Sequence, residues 1–340
     1  MHRTSSRSAG LGTGDAKRST RKEIIMRIIL ILLITVSLAP PAVAAQAHKM
    51  ERLSRGLAAI YTGSGGVYLS WRLLATDAKT IAFDVYRDGK KVNHQPITES
   101  TNYLDSKGSP KFKYMIQPVV RDRQLERSKE VVPQNGQYAD VPLSPPPPFM
   151  LPDRQSPTYK PGDASVGDLD GDGEYELVLK WEGIAKDVSR NGYTSPVILE
   201  ALEMDGTSLW RINLGINIRA GAHYTQVIVY DLNGDGTAEV ACRTSDGTVD
   251  GKGRILGDGT IDYRDNNGRV LKAPERLTVF HGRTGEAIDS VPYDPSRGKV
   301  SSWGDNYGNR CERHLACVAY LDGKRPGIVL GRGYYRANPG

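Results

Sequence analysis

The chain has 340 residues, enough for two domains that each bury a core of their own. Its 37 glycines and 20 prolines, with a mean hydropathy of −0.44, favour a soluble, turn-rich β protein over a helical bundle. The net charge of +6 invites a nucleic-acid reading, but residues 1–44 carry seven Lys/Arg against Asp15 and Glu23; that leaves the body near +1, too little to track a phosphate backbone.

The basic head reads as a targeting segment. Arg27 precedes an apolar run from Ile28 to Leu38, Pro40 and Pro41 break it, and Ala42-Val43-Ala44 offers the small residues a signal peptidase inspects. An eleven-residue run falls short of the ~20 needed to span a bilayer. Residues 1–44 are therefore expected to be an extension plus signal peptide starting at Met26, with an uncleaved anchor as the rival reading. The mature protein is expected outside the cell and off the membrane.

Residues 50–143 predict a small β-sandwich of the fibronectin type III class. Val67 to Trp71 alternates in polarity, as does Phe83 to Tyr86, and Asp88-Gly89 supplies a hairpin turn into Lys90-Lys91. Residues 144–157, with prolines from Pro145 through Pro148, predict a semi-rigid spacer rather than a packed element.

Residues 158–340 repeat. The stretch Val166 to Leu179 recurs as Val229 to Cys242, 63 residues on, and again without its acids from Ala319 to Leu330. Hairpins lie between the copies, turning at Asp205-Gly206-Thr207 and Arg283-Thr284-Gly285. Strand, loop, strand and hairpin in succession predict about three blades of a β-propeller, fewer than the four that close a ring.

Two of the repeats carry acidic loops. Asp168, Asp170, Asp172 and Glu176 place side-chain oxygens at positions 1, 3, 5 and 9, and Glu174 can add its carbonyl. Asp231, Asn233, Asp235, the Thr237 carbonyl and Glu239 repeat the pattern. Glycines at 171, 173, 234 and 236 let the backbone wrap those oxygens round one point. Clustered carboxylates repel without a cation, and an all-oxygen, flexible donor set predicts Ca²⁺ in a structural role. Position 12 is Leu179 or Cys242, inside strands, which excludes an EF-hand or dockerin. A solvated acidic turn is the plainer alternative.

An oxidising compartment would permit a Cys311–Cys317 bridge only if the chain reverses between them. Cys242 is expected to be a buried strand residue.

Further stretches carry a family resemblance: Leu179-Lys-Trp-Glu182, the run from Trp210 to Gln226, Trp303-Gly-Asp-Asn-Tyr-Gly-Asn-Arg310 and Gly331-Arg-Gly-Tyr-Tyr335. With the acidic loops and the sandwich-then-propeller order, residues from about 51 to the end resemble the bacterial rhamnogalacturonan lyases of polysaccharide lyase family eleven. The resemblance implies an eight-bladed calcium propeller, monomeric when complete. It also implies a β-elimination at the rhamnose–galacturonate linkage of rhamnogalacturonan I in pectin. Against the family pattern, Gly162 stands before Asp163 where Asn is usual, and Glu182 where Asp is usual. Both positions belong to the family's sugar cleft. Family members continue for about as much chain again, which supplies ligands of a cleft calcium, so a truncated, inactive form is also an expectation.

Within this frame Gly162, Trp181 and Glu182 are the expected substrate-binding residues, and Lys180 is set aside. His223 and Arg219 are the catalytic candidates, as a face-loop base and a bidentate clamp on a uronate. A structural histidine and a structural salt bridge are the alternatives. Asp163 could join a further calcium; Arg310 and Tyr334 are weaker face-loop candidates. The rival to a lyase is a non-catalytic calcium propeller for glycan binding or adhesion.

Overall fold

The computed structural model describes residues 50–334 apart from 64, 65 and 137; the targeting segment expected over residues 1–44 lies outside the described residues. Alternating and β-branched runs in residues 50–143 form β1 (Ala58–Tyr61), β2 (Val67–Ser70), β3 (Ile81–Arg87), β4 (Lys90–Lys91), β5 (Asn102–Asp105), β6 (Tyr114–Val120), β7 (Arg123–Gln124) and β8 (Gln134–Asn135). They make two sheets, in the orders β5-β2-β1-β8 and β4-β3-β6-β7. Val67, Leu69 and Trp71 from the first share one core with Phe83, Val85, Tyr114 and Ile116 from the second. Each such buried side chain adds about 1.5–3 kcal/mol. The β3–β4 turn has φ of 46° at Asp88 and 76° at Gly89, the left-handed pair that a two-residue hairpin requires. Alternation along β3 does not leave its outer face wet. Asp84 and Tyr86 are buried there too, the one paired with Lys91 Nζ at 2.7 Å, the other donating to Gln117 at 2.9 Å.

The proline-rich segment lacks regular secondary structure but is not a free spacer. Pro146 and Leu151 are buried, Phe149 packs on the core around Trp181, and Arg211 donates to the Ser144 carbonyl. Packing against the following sheet, not proline stiffness alone, holds it.

The rest of the chain supplies β9 (Lys160–Gly167), β10 (Glu176–Glu182), β11 (Ile198–Leu202), β12 (Ser208–Asn213), β13 (Val227–Tyr230), β14 (Glu239–Thr244), β15 (Thr248–Val249), β16 (Ile255–Leu256), β17 (Arg276–Phe280), β18 (Ala287–Pro292), β19 (His314–Ala319) and β20 (Gly327–Arg332). The fold is all-β; one 3₁₀ turn, Val300–Trp303, is the helical element among the described residues. The sheets run β16-β15-β12-β11-β10-β9, β13-β14-β17-β18 and β19-β20. Equal four-stranded units were expected. Instead the β15–β16 hairpin, which arises between β14 and β17, crosses to the preceding sheet and pairs Val249 with Asn213. The three repeat copies occupy equivalent places, each as the turn between the first two strands of its sheet.

The sheets are joined in two ways. Val178, Leu199 and Ile212 share a core with Val240, Cys242 and Phe280 of the next sheet. The second and third sheets meet over buried ion pairs. Arg243 reaches Glu275 at 2.5 Å and Glu312 at 3.0 Å, Arg297 reaches them at 2.8 and 2.7 Å, and Arg332 reaches Glu275 at 2.6 Å. Buried charges persist only when paired in this way. Cys242 is buried in β14, and all three cysteines are free thiols. Extended β19 carries Cys317 away from Cys311, so the reversal that a bridge needed does not occur.

Candidate functional site

Successive residues of a strand face opposite sides of a sheet, and β10 shows the consequence. Trp181 turns into the core with Leu179, Tyr159 and Ile198, and its Nε1 donates to Glu200 at 2.6 Å. Lys180 and Glu182 turn the other way. Lys180 Nζ stands 2.9 Å from Asp163 Oδ2 and 3.2 Å from Glu182 Oε1. Its side chain is only 7% exposed while that of Asp163 is 90% exposed, so the ammonium forms a floor and the carboxylates a rim. Burial works against the charge on Lys180, but the hydrogen bonds to Asp163 and Glu182 hold its pKa above the usual lysine range.

This group borders two hollows that share Asp163 and Ala222. One, of about 410 Å³, is lined by Gly162, Glu182, Lys186, Asp187 and Gly221; the other, of about 250 Å³, by Lys180, Thr225 and Gln226. Carboxylates and the ammonium groups of Lys180 and Lys186 converge on the two hollows, a few placed polar groups of the kind that fix a ligand's orientation. Gly162 is bound to Glu182 by space. A Cβ at 162 would lie 3.2 Å from Glu182 Cγ and Cδ and 2.9 Å from the Lys180 carbonyl.

The structure thus brings together Gly162, Asp163 and Glu182 and adds Lys180, which sequence reasoning had set aside. Trp181 is a correction: it lines neither hollow. Period-two alternation from Leu179 carried that signal. Arg219 is a second correction. It is buried and donates to the carbonyls of Lys186, Asp187, Arg190, Gly192 and Gly268, so it pins the wall of the larger hollow and does not reach into it. His223 is exposed beside Ala222, and its carbonyl accepts from His314 N at 3.1 Å. Asp163 stands with Lys180, apart from the acidic loops.

In the first loop Asp168 is buried and accepts from Gly171 N at 2.7 Å and Gly173 N at 3.0 Å. One oxygen each from Asp168, Asp170 and Glu176 lies within 4.8 Å of the others. Burial, with Glu203, Asp170 and Asp168 nearby, pushes Glu176 up to about 7, and burial also raises Asp168. Acids crowded together out of water are what a hard divalent ion relieves, so this donor set fits Ca²⁺. The side chains of Asp172 and Glu174 are turned elsewhere, to Lys129 Nζ at 3.2 Å and Ser54 Oγ at 2.6 Å. In the second loop Asp231 repeats the role of Asp168, accepting from Gly234 N and Gly236 N. There Asn233 Nδ2 donates to Asp235 at 2.9 Å and Glu239 at 2.7 Å, and Thr237 donates through N and Oγ1 to Asp235. The amide offsets part of the repulsion that the first loop leaves unrelieved.

Glu51 escaped the sequence reading. Its Oε1 accepts from Asp168 N at 3.2 Å; burial, with Asp168 and Asp231 near, raises it to about 6. A lone acid 117 residues before its partner leaves no local pattern.

Comparison with known proteins gives two family matches: "Rhamnogalacturonan lyase family 11, C-terminal domain" over residues 138–338 and "Rhamnogalacturonan I lyases beta-sheet domain" over residues 48–134. The chain is 54% identical over 289 residues to the rhamnogalacturonan exolyase YesX of Bacillus subtilis (strain 168), covering 85% of this chain and 47% of that protein. It is 48% identical over 320 residues to the rhamnogalacturonan endolyase YesW of the same organism, covering 94% and 51%. The crystal structure of YesX superposes with a TM-score of 0.82 at 53% identity, over 85% of this chain and 48% of that one. A rhamnogalacturonan lyase structure from Bacillus licheniformis gives 0.81 at 54%, over 86% and 50%. The chain spans about half the length of the curated relatives it matches.

Proposed function

This chain belongs to rhamnogalacturonan lyase family 11, and from that premise we propose that it acts on rhamnogalacturonan I of pectin, with calcium, as a polysaccharide lyase. The observation that carries the reading is the pair of adjoining hollows at Asp163, where Lys180 is clasped between Asp163 and Glu182, and Asp187 lines the larger hollow with Gly162. Cleavage by β-elimination removes the proton at C5 of galacturonate. The electron pair of that C–H bond becomes the C4–C5 double bond, and the bond from C4 to the bridging oxygen breaks, the oxygen leaving with rhamnose and taking up a proton.

The residues of the hollow suit the binding half of that task. Asp163, Glu182 and Asp187 accept hydrogen bonds from sugar hydroxyls, and the Lys180 ammonium keeps two of these carboxylates from repelling each other. Arg219 holds the wall in shape, which keeps a bound sugar oriented. His223, exposed on the neighbouring loop, is the side chain offered for proton abstraction. Asp168, Asp170 and Glu176, with their counterparts Asp231, Asn233 and Glu239, are the residues that would hold calcium. The ion supplies charge neutralisation that fixes the loops.

The same reading makes the three successive sheets part of a β-propeller, with β9, β13 and β19 side by side near its axis. β13 lies against both of the others, and Tyr230 and Tyr320 share a 3.0 Å hydrogen bond across this seam. It also takes the protein out of the cell through the segment at residues 1–44. Incubation with rhamnogalacturonan I and calcium is expected to release 4,5-unsaturated uronate ends, read by ultraviolet absorbance. Binding of pectic fragments with no unsaturated product would replace the lyase with a non-catalytic glycan-binding role.

A further inference from the structure

Beside the larger of the hollows at Asp163 (the first) lies a separate polar hollow of about 500 Å³ (the second), lined chiefly by Asn306, Tyr307, Asn309, Arg310 and Tyr334. Its loop is built independently of any ligand. The Asp305 carboxylate accepts the backbone N–H groups of Tyr307 at 3.1 Å, Gly308 at 2.6 Å, Asn309 at 3.2 Å and Arg310 at 2.9 Å. Asn309 Nδ2 donates to Tyr334 Oη at 2.8 Å. The Arg269 guanidinium stands 5.4 Å from the Tyr307 ring, which remains 38% exposed.

One side chain separates the two hollows. Arg313 Nη2 donates at 2.9 Å to Asp187, which lines the first, and at 2.9 Å to Asn309, which lines the second. The same guanidinium lies 5.5 Å from the Tyr334 ring. A polymer seated in the first hollow therefore meets the second within the width of an arginine.

We propose that this second hollow is a further subsite for the same polysaccharide, taking a uronate-bearing sugar beyond the one held at Gly162. The chemistry is that of sugar recognition: an exposed Tyr307 face for the apolar side of a pyranose, the Asn306 amide for hydroxyls, and the Arg310 guanidinium, held from one side by the Trp303 carbonyl at 3.3 Å, for a carboxylate. The inference rests on the glycan reading given above.

The test is calorimetric titration of the whole chain, in calcium, with rhamnogalacturonan oligosaccharides of short and long defined length. Tyr307→Ala and Asn306→Ala are expected to weaken the long ligand about tenfold and leave the short one unchanged, with unaltered melting temperature. Tyr307→Phe keeps the ring and should keep the affinity. A carboxyl-reduced long ligand should lose the same advantage in the unsubstituted protein. Equal losses for short and long ligands, or no loss for either, would overturn the subsite. Failure of the unsubstituted protein to bind any length would instead remove the glycan reading, and the subsite with it.

Discussion

Gly162 and Glu182 sit on adjacent strands and compete for one volume. The Glu182 stem fills the place that a side chain at 162 would need, so the pair is a single steric unit. Gly162→Asn alone is expected to destabilise the fold by about 1–3 kcal/mol, and Glu182→Asp, which withdraws one methylene, to recover part of that loss. Urea melts of the two single variants and the double variant measure the coupling; strict additivity would show that the two do not share space. That Glu182 and Gly162 line one hollow was anticipated from the Glu182 motif and from the departure of Gly162 from the family pattern. Lys180 and Trp181 were read with their faces exchanged, because motif reasoning treated neighbours as equivalent while a strand sends them to opposite sides.

At the scale of the element, the first acidic loop reaches the segment that precedes it as well as its own sheet. Ser54 N donates to the Gly173 carbonyl at 2.7 Å, Arg72 lies 4.3 Å from the Tyr175 ring, and Lys129 pairs with Asp172. A cation bound to the folded loops stabilises the fold by mass action, about 2.7 kcal/mol at a hundredfold excess over Kd. Calcium is therefore expected to raise the melting temperature. In Glu176→Gln the metal-free protein should melt at or above the unsubstituted one, since a crowded charge is gone, while the calcium-induced rise shrinks. A full rise in that variant, by scanning calorimetry, would remove Glu176 from the donor set. The loops were legible because their donors are contiguous, whereas the clasp of Ser54, Lys129 and Glu51 on them spans the chain.

For the whole molecule, the joint between the second and third sheets sets the response to acid. His314 faces Arg243, Arg332, Glu312 and Tyr293; burial, with Arg243 close by, pulls its pKa down to about 4 from 6.5. Between those values the unfolded chain binds a proton that the folded protein refuses. The contribution of this group is thus complete above pH 6.5 and is lost as the pH drops toward 4, by up to about 3 kcal/mol, while Glu176 and Glu51, raised in the folded state, contribute in the opposite sense. Below that, Glu275 and Glu312, whose pKa values lie under the usual carboxylate range, begin to lose their pairing with the arginines. Melting temperature against pH for the native chain and His314→Gln tests this. The variant should lose less stability than the native chain between pH 6.5 and 4, and an equal loss would place the acid sensitivity elsewhere.

None of that joint was visible beforehand. Arg243, Glu275, Arg297, Glu312 and Arg332 come from separate strands and loops, and single charged residues at irregular spacing carry no periodic signal. Local order by itself settled the all-β character, the left-handed Asp88-Gly89 turn, the repeated loops and the family, because these depend on residues adjacent in the chain. Tertiary structure alone decided that Trp181 is core, that Arg219 is consumed by five carbonyls, that Lys180 lies between two acids, and that a hairpin crosses from one sheet to its neighbour. Those outcomes depend on which surfaces meet after folding, and burial and electrostatic pairing act through space, where distance along the chain carries no weight.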